Sequence, residues 1–455
     1  MEAIITGKSI FFNNTKTCID DLLNDSLYKF SNKRAADFNN DYYGVNELFV
    51  DIVLPYMAIE NWILDNHPDV INVKKAEKIY KFIFLDVCCK INIRVKGLGL
   101  FEKIVETINY NVWVFASAIY FAYRLLLIPF KPGIVVADKF AVVRSKASIK
   151  KFSHFSEINQ EVESLYSKSS IYRLFPKPLR IKWVFQSFIN SYKSMRSMLC
   201  FYTDKLGRNF EYVLRHYYKK RIVYAELYKL MLGAYLSHFI NKEFYTGNNL
   251  DRFSVIEDQL CAKFNIKSYN IPHGIEYGFK FPKGFSSDVF YTHSQYTAEF
   301  LNRLYNTSKY VFDKSIISRM FEYNYNVPHE KMIIFFTEPR EVNVNVDIVK
   351  DLIPRLKEKG LKLYLKLHPV DKKANYEGID VEFISDYELS LTGNICISRK
   401  STILLEAIYN NSLPIAIITN PNDNTMFTLF PSLNTKEIIK TYSVQELFNV
   451  IMKNI

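Results

Sequence analysis

Short polar segments follow apolar, strand-like runs at several places, and ligands bind beyond the carboxyl ends of strands in open α/β sheets. The sequence KLHP, residues 366–369, closes the run Leu361–Leu367. Pro369 ends the strand, and a histidine before it can donate a hydrogen bond or a proton to a phosphate oxygen. We therefore expect Lys366, His368 and Pro369 to border a phosphate.

A second polar turn, SRKST, joins the strand-like run Asn394–Ser398 to a helix expected over Thr402–Asn410. Hydroxyls and N–H groups at a helix start favour anions, and two basic side chains add positive charge there. Glu406 lies one turn further, where a carboxylate can reach ribose hydroxyls. The donor contacts expected from the turn itself are Ser398, Arg399, Lys400, Ser401 and Thr402.

The third segment, IPHGIE, follows the strand-like run Ser268–Pro272. Gly274 permits a positive φ and the close approach of a ligand. His273 and Glu276 are expected to face a cleft between domains, where either can deprotonate an acceptor hydroxyl. These three residues are the candidate acceptor site, and His273, Glu276 and His368 are the candidate catalytic residues.

The loop Thr337–Arg340 (TEPR) follows another apolar run, and Glu338 and Arg340 are expected to border the donor nucleotide. The sequence contains no Walker A, GxGxxG or HExxH motif and no zinc-type spacing. It also lacks a DxD at a strand end, where metal-dependent sugar transferases use one. We therefore expect neither a metal ion nor another cofactor.

The elements that must position these segments alternate between strands and helices, which indicates parallel sheets with crossover helices. We predict an α/β protein with two Rossmann-like, doubly wound domains facing a cleft and a helical N-terminal elaboration. Residues 1–325 form the acceptor domain and residues 326–455 the donor domain. We also expect a strand at Gly133–Ala137 and helices at Leu48–Leu64 and Ala76–Val87.

Composition agrees with a large folded core, since 49% of the 455 residues are hydrophobic and 23% are charged. The six cysteines are scattered, and Met1-Glu2-Ala3 does not begin a signal peptide. A reducing cytoplasm is the location that these features favour.

Positive charge is concentrated in one part of the chain. Residues 131–221 contain 19 Lys or Arg and 6 Asp or Glu, a net charge of +13, so this region carries the whole positive excess of the +12 chain. The apolar stretch Val112–Phe130 lies directly before them, and it is a buried core helix, an interfacial helix or a membrane span. Together the two features predict peripheral attachment to an anionic inner-membrane surface. A non-enzymatic nucleic-acid-binding protein is the alternative, although the basic region precedes the strand-end motifs, so no nucleic acid is expected.

KLHP and SRKSTILLEA (398–407) resemble the HP and serine motifs of bacterial sialyltransferases and polysialyltransferases, Kdo transferases of capsule synthesis, and CDP-glycerol polymerases. The blocks YTGNN, NIPHG and SDVFYTHSQYTAEFL resemble the acceptor half of these enzymes. The resemblance covers roughly residues 244–420. The sialyltransferases have an acidic block ending in glycine, whereas this chain has PHG-IE, closer to the teichoic acid polymerases; Glu257-Asp258 is acidic but lacks the glycine.

The resemblance implies that the two domains form a GT-B fold and that the protein is an inverting, metal-independent glycosyltransferase. It would move an acidic sugar, sialic acid or Kdo in type, from a CMP-sugar. The acceptor is then a capsule, lipopolysaccharide or O-antigen glycan, free or lipid-linked. By this resemblance His368, Ser401 and Thr402 contact the donor and Glu406 lies near the ribose. An NDP-sugar glycosyltransferase, a CDP-polyol phosphotransferase and an epimerase-like enzyme of the same fold remain alternatives.

Overall fold

A computed structural model describes residues 1–20, 22, 31–272, 276–323, 325, 328–338 and 341–455. The chain divides into two compact units. Unit 1 comprises Met1–Ile271 and Phe279–Phe290, and unit 2 comprises Pro272–Gly278 and Tyr291–Ile455.

Unit 1 begins with a five-stranded mixed sheet in the order β3-β2-β1-β4-β5. Strands β1, β2 and β3 form an antiparallel meander, and β4 and β5 add to β1 in parallel. No sequence pattern predicted this sheet, because its strands are short and only partly buried. They are β1 (Glu2–Gly7), β2 (Ser9–Phe12), β3 (Thr15–Cys18), β4 (Val70–Ala76) and β5 (Arg94–Lys96).

Helices make up most of the remainder of unit 1. Both helices expected before residue 90 are present: Val45–Leu48 and a π-helical turn, Phe49–Val53, lead into α1, and α2 follows β4. The described helices of this unit are α1 (Leu54–Asn66), α2 (Lys78–Ile91), α3 (Leu100–Leu127), α4 (Lys146–Phe152), α5 (Lys177–Leu206), α6 (Phe210–Tyr218), α7 (Ile222–Leu236) and α8 (Arg252–Lys263).

The second sheet has the order β11-β10-β9-β8-β6-β7, and its pairs from β7 to β10 are parallel. The strand predicted at Gly133–Ala137 was misplaced: that segment is irregular and mostly exposed, and the buried strand begins at Lys139. The strands are β6 (Lys139–Val143), β7 (Asn159–Val162), β8 (Glu243–Thr246), β9 (Lys267–Asn270), β10 (Val289–Tyr291) and β11 (Tyr310–Val311).

Unit 2 contains a six-stranded parallel sheet in the order β14-β13-β12-β15-β16-β17. Its strands are β12 (Ile333–Phe336), β13 (Leu363–Lys366), β14 (Glu382–Phe383), β15 (Ile395–Ser398), β16 (Leu413–Ile417) and β17 (Ile439–Thr441). Its helices are α9 (Gln295–Tyr305), α10 (Lys314–Phe321), α11 (Val342–Lys357), α12 (Tyr387–Leu391), α13 (Ile403–Tyr409), α14 (Pro421–Leu429) and α15 (Val444–Lys453).

Central strands of this sheet are apolar on both faces, as expected when helices cover a parallel sheet on two sides. All four residues of β12 are buried, and so are all four of β15. Gly360 follows α11 with a φ of +69°, a conformation that glycine commonly supplies just beyond a helix end. Two parallel six-stranded sheets flanked by helices confirm the predicted α/β class with Rossmann-like architecture.

Helix α3 takes up most of the apolar stretch predicted before the basic region. Among the described residues it is the one helix long and apolar enough to cross a membrane, judged by length and composition. Only 22% of its most apolar window is buried inside the protein. The interpretation as a fully buried core helix was therefore wrong.

Candidate functional site

Unit 2 brings the strand-end motifs to one edge of its sheet. From β12 the chain moves outward to β13 and β14, and it then returns to β15 on the other side of β12. The direction of winding therefore switches between β12 and β15, which is where open α/β sheets bind ligands. Glu338 follows β12, and Arg399 and Lys400 follow β15.

A hydrogen bond joins the loop after β12 to the loop after β15 at this switch point. The backbone N–H of Lys400 donates to Oε1 of Glu338 at 2.5 Å. Burial raises the pKa of Glu338, although the charge and N–H of Lys400 oppose this shift. Glu338 is therefore a buried carboxyl held by the loop after β15.

His368 lies exposed at the end of β13, beside this switch point. Its backbone N–H donates to the Thr337 hydroxyl at 3.0 Å, which ties the two loops together. Nδ1 lies 3.3 Å from the N–H of Val370, and we assign it as the acceptor of that bond. A neutral imidazole with an accepting Nδ1 carries its proton on Nε2, so Nε2 can donate to a ligand. Pro369 is exposed next to it.

Lys366 and Glu406 both contact Tyr387. The Lys366 ammonium is 5.8 Å from the centroid of the Tyr387 ring, and its Nζ donates to the carbonyl of Ser385. The Tyr387 hydroxyl donates to Oε2 of Glu406 at 2.8 Å, and Tyr323 donates to the same oxygen at 3.1 Å. Burial lowers the pKa of Lys366. This group is compatible with polar contacts to a nucleoside, with Tyr387 as a further candidate that the sequence analysis missed.

Arg399 is completely buried, and its guanidinium is used within the protein. Nε and Nη2 bind the two carboxylate oxygens of Asp423 at 2.7 and 2.8 Å. Nη1 reaches Asn345 at 3.2 Å, and Nη2 donates to Glu341. The side chain thus joins the loop after β15 to the starts of α11 and α14, which makes it a positioning residue in this arrangement.

Lys400 is half-buried and turned toward the same carboxylates. Its Nζ binds Oδ1 of Asp423 at 2.6 Å and Oε2 of Glu341 at 3.3 Å. The carboxylates of Asp423 and Glu341 and the basic groups of Arg399 and Lys400 thus neutralise one another. A hydrogen-bond donor for a ligand phosphate at this place must come from another group, such as Nε2 of the His368 imidazole.

The hydroxyls of the SRKST turn differ in their environments. Ser398 is buried, and its hydroxyl lies 3.3 Å from the carbonyl of Phe336. Ser401 and Thr402 are half-buried at the start of α13, where the Ser401 hydroxyl accepts the N–H of Ile403 at 3.3 Å. Helix α13 has seven residues, so its dipole is smaller than the sequence suggested.

Glu276 is buried in unit 2, where it binds a histidine that the sequence analysis did not select. Its Oε1 accepts the backbone N–H of His293 at 3.0 Å and lies 2.8 Å from Nδ1 of the same residue. Ser432 donates to Oε2. Burial would raise the pKa of Glu276, but the charge and hydrogen bond of His293 and the bond from Ser432 lower it overall. An ionised, enclosed carboxylate suits orientation of an imidazole better than removal of a proton from an acceptor.

His293 occupies a position that strand-end reasoning should have found, because it follows β10 by two residues. Its ring stacks on Phe321 with centroids 5.5 Å apart, and it is 3% exposed. A carboxylate that fixes Nδ1 leaves Nε2 as the nitrogen able to exchange a proton. His273, Gly274 and Arg340, three of the predicted site residues, lie outside the described residues.

The acidic pair Glu257-Asp258 belongs to unit 1, on α8. Glu257 accepts hydrogen bonds from Tyr228 at 2.6 Å, Thr246 at 2.6 Å and Asn248 at 2.8 Å. Burial raises its pKa to about 7, although the bonds from Thr246 and Tyr228 oppose the shift. Because three side chains donate hydrogen bonds to it, Glu257 has a structural role at the carboxyl end of β8.

Within the described part of the chain, no group of three or more His, Cys, Asp or Glu side chains is arranged to hold a metal ion. No known protein-family model matches the chain, and no curated protein matches it. Among solved structures, a co-structure of MnaA with UDP from S. aureus is similar, with a TM-score of 0.38 and 11% identity. The match covers 69% of this chain and 86% of that one.

Proposed function

We propose that the protein is a metal-independent, inverting glycosyltransferase that transfers an acidic sugar from a CMP-sugar to a surface-polysaccharide acceptor. The observation that carries this proposal is the position of His368, with an Nε2 free to donate, beside the topological switch point of the unit 2 sheet. The motif resemblance supplies the donor class, and the acceptor as a capsule, lipopolysaccharide or O-antigen glycan.

In the proposed reaction, a base takes the proton of an acceptor hydroxyl as its oxygen bonds to the anomeric carbon. The bond from that carbon to the donor phosphate breaks, and CMP leaves with the bonding electrons. A hydrogen bond from His368 Nε2 stabilises the negative charge on the departing phosphate. Lys366, Tyr387 and Glu406 are proposed to contact the nucleoside, and Ser401 and Thr402 the phosphate or the sugar carboxylate.

Two histidines are candidates for the base. His273 is the sequence-based candidate, and His293 is the one whose orientation is fixed by a carboxylate, Glu276. Because Glu276 is fully enclosed, we assign it the role of a positioning residue.

A thermal-shift screen against CMP, CDP, UMP, UDP and GDP tests the donor class. A nucleotide at about one hundred times its dissociation constant stabilises a protein by about 2.7 kcal/mol, which is measurable. We expect CMP or CDP to give the largest shift and EDTA to leave both the shift and sugar transfer unchanged. A preference for UDP would favour an NDP-sugar enzyme, and a strict requirement for Mg²⁺ or Mn²⁺ would rule out the proposed chemistry.

A further inference from the structure

The outward face of α3 is apolar over most of its length. Between Ile104 and Leu127 the helix has two charged residues: Glu106 is buried, and Arg124 is half-buried with its guanidinium over the Tyr166 ring at 4.8 Å. This stretch extends for about 35 Å at 1.5 Å per residue. Its exposed apolar residues are Ile104, Ile108, Val112, Trp113, Phe115, Ile119, Tyr120, Tyr123, Leu126 and Leu127.

Helix α5 packs beside α3 and continues the same surface. Phe115 contacts Phe188 with ring centroids 6.3 Å apart, and Tyr110 contacts Tyr192 at 6.1 Å. Phe185 is 65% exposed. We call the exposed residues of α3 together with Phe185, Ile189 and Tyr192 the apolar face. A contiguous apolar surface of this length is unusual on a protein that meets only water.

Basic residues border the apolar face on α5. Lys182, Lys193 and Arg196 are exposed, and they recur with Phe185 and Ile189 at helical spacings of three or four residues. Asp204 is the single acidic residue of α5. Aromatic and aliphatic side chains flanked by cations complement an anionic bilayer, in which acyl chains lie beneath negative headgroups.

Further positive charge lies where α3 meets α6. A cavity of about 590 Å³ has Trp113 in its wall, with Lys220 positioned over the indole ring at 4.1 Å. Its lining includes two acidic residues and four basic ones. The basic residues are Lys8, Lys219, Lys220 and Arg221. A phosphate headgroup beside the apolar face therefore has cations within reach.

Buried polar contacts hold α3 against the protein along its length. Glu106 binds Lys78 at 2.7 Å and Lys219 at 2.9 Å, and these bonds together with His216 lower its pKa to about 2 in spite of burial. At the other end, Arg180 donates to the carbonyls of Leu125 at 3.0 Å and Ile128 at 2.7 Å. Crossing a bilayer would break these contacts and leave charges unpaired. The helix therefore suits a position in the plane of the membrane surface.

A second copy of the chain is a poorer occupant of this face. A two-fold contact through it would bring Lys182, Lys193 and Arg196 of both copies close together, with few acidic residues to compensate. Anionic lipids neutralise the same charges.

We propose that the apolar face and its basic border bind an anionic lipid bilayer, with α3 lying in the interface. This proposal is independent of the proposed transferase reaction, because none of its residues belongs to the candidate site of unit 2.

Flotation of the full chain with phosphatidylcholine vesicles, with and without about one quarter phosphatidylglycerol, tests the proposal. We expect binding only to the anionic vesicles, and weakening by salt. Ile108→Ser with Ile119→Ser removes two apolar contacts, and Lys182→Glu with Lys193→Glu reverses two charges. Each pair is expected to weaken binding at least about ten-fold, since one basic residue near such a surface contributes about five-fold.

Matched controls make similar changes at exposed residues that belong neither to the apolar face nor to its basic border: Ile240→Ser with Tyr442→Ser, and Lys350→Glu with Lys359→Glu. Both control proteins should bind like the unmodified chain, and all variants should unfold at the same temperature as it does. Absence of flotation at low salt would overturn the proposal, as would equal losses in the controls. Dimerisation that the serine pair abolishes, without vesicle binding, would assign the face to a second copy. Vesicle binding that resists alkaline carbonate would assign α3 to a span.

Discussion

Glu276 fixes the side chain of His293 through two bonds to one carboxylate oxygen, from the backbone N–H at 3.0 Å and from Nδ1 at 2.8 Å. Such a pair sets the orientation and the tautomer of an imidazole, as carboxylates do for catalytic histidines. It also removes Glu276 itself from the set of groups that can meet an acceptor, since no part of it is exposed.

If His293 is the base, His293→Gln should abolish most sugar transfer, and Glu276→Gln should lower kcat at least about ten-fold with nucleotide binding unchanged. Steady-state kinetics and the thermal-shift assay measure the two quantities. Ser432→Ala is the matched control, because it removes the other partner of Glu276 and leaves the histidine contact in place. Full kcat in His293→Gln would transfer the role to His273.

His368→Ala is expected to lower turnover about a hundred-fold or more, because the donor to the leaving phosphate is lost. The unfolding temperature should change little, as the side chain is exposed. His329→Ala, which removes the same residue type before β12 at the opposite edge of the sheet, should keep normal rates. Normal transfer by His368→Ala would exclude this histidine from the mechanism.

Arg399→Met and Asp423→Asn should each destabilise unit 2 by about 3–5 kcal/mol, because each leaves a buried charge without its partner. Urea unfolding followed by a unit 2 probe measures the loss. Arg355→Met breaks an exposed pair with Asp351 and should cost less than about 1 kcal/mol. Similar losses in the exposed and the buried variant would show that burial of the pair is unimportant.

The buried carboxyl of Glu257 makes stability depend on pH. Its pKa is raised from 4.5 to about 7, so the folded state binds this proton more tightly than the unfolded state does. The resulting stabilisation is complete below pH 4.5 and is lost as the pH rises through 7, with a total of about 3 kcal/mol.

Glu257→Gln should therefore flatten the dependence of the unfolding temperature on pH between about 4.5 and 7.5. Glu299→Gln, at an exposed carboxylate of α9, should leave that dependence as it is. A steep pH dependence that persists in Glu257→Gln would place its origin in another group.

Sequence patterns located the Rossmann-like elements well where apolar runs are continuous. The predicted runs Leu361–Leu367 and Asn394–Ser398 contain β13 and β15. Strand-end positions also brought His368, Glu338 and Lys400 to one sheet edge. Burial was harder to predict. The position of Arg399 in the sequence indicated a phosphate ligand, because its partner Asp423 lies 24 positions away in the chain. Only the sheet order reveals that the two meet.

The N-terminal sheet was missed, and the exposure of α3 stayed open among three alternatives, for a related reason. Short strands such as Arg94–Lys96 carry too few apolar residues to produce a pattern of their own. An apolar helix has the same sequence pattern whether its outer face contacts protein, lipid or water. Which of its residues are covered depends on the neighbouring elements.

Arg399 has a thermodynamic consequence beyond the stability of unit 2. By joining the loop after β15 to the starts of α11 and α14, it fixes backbone at the sheet edge where a ligand would bind. Ordering a loop at the moment of binding consumes conformational entropy, and a site whose loops are ordered beforehand avoids that loss. A ligand at this edge can thus retain most of its contact energy as affinity.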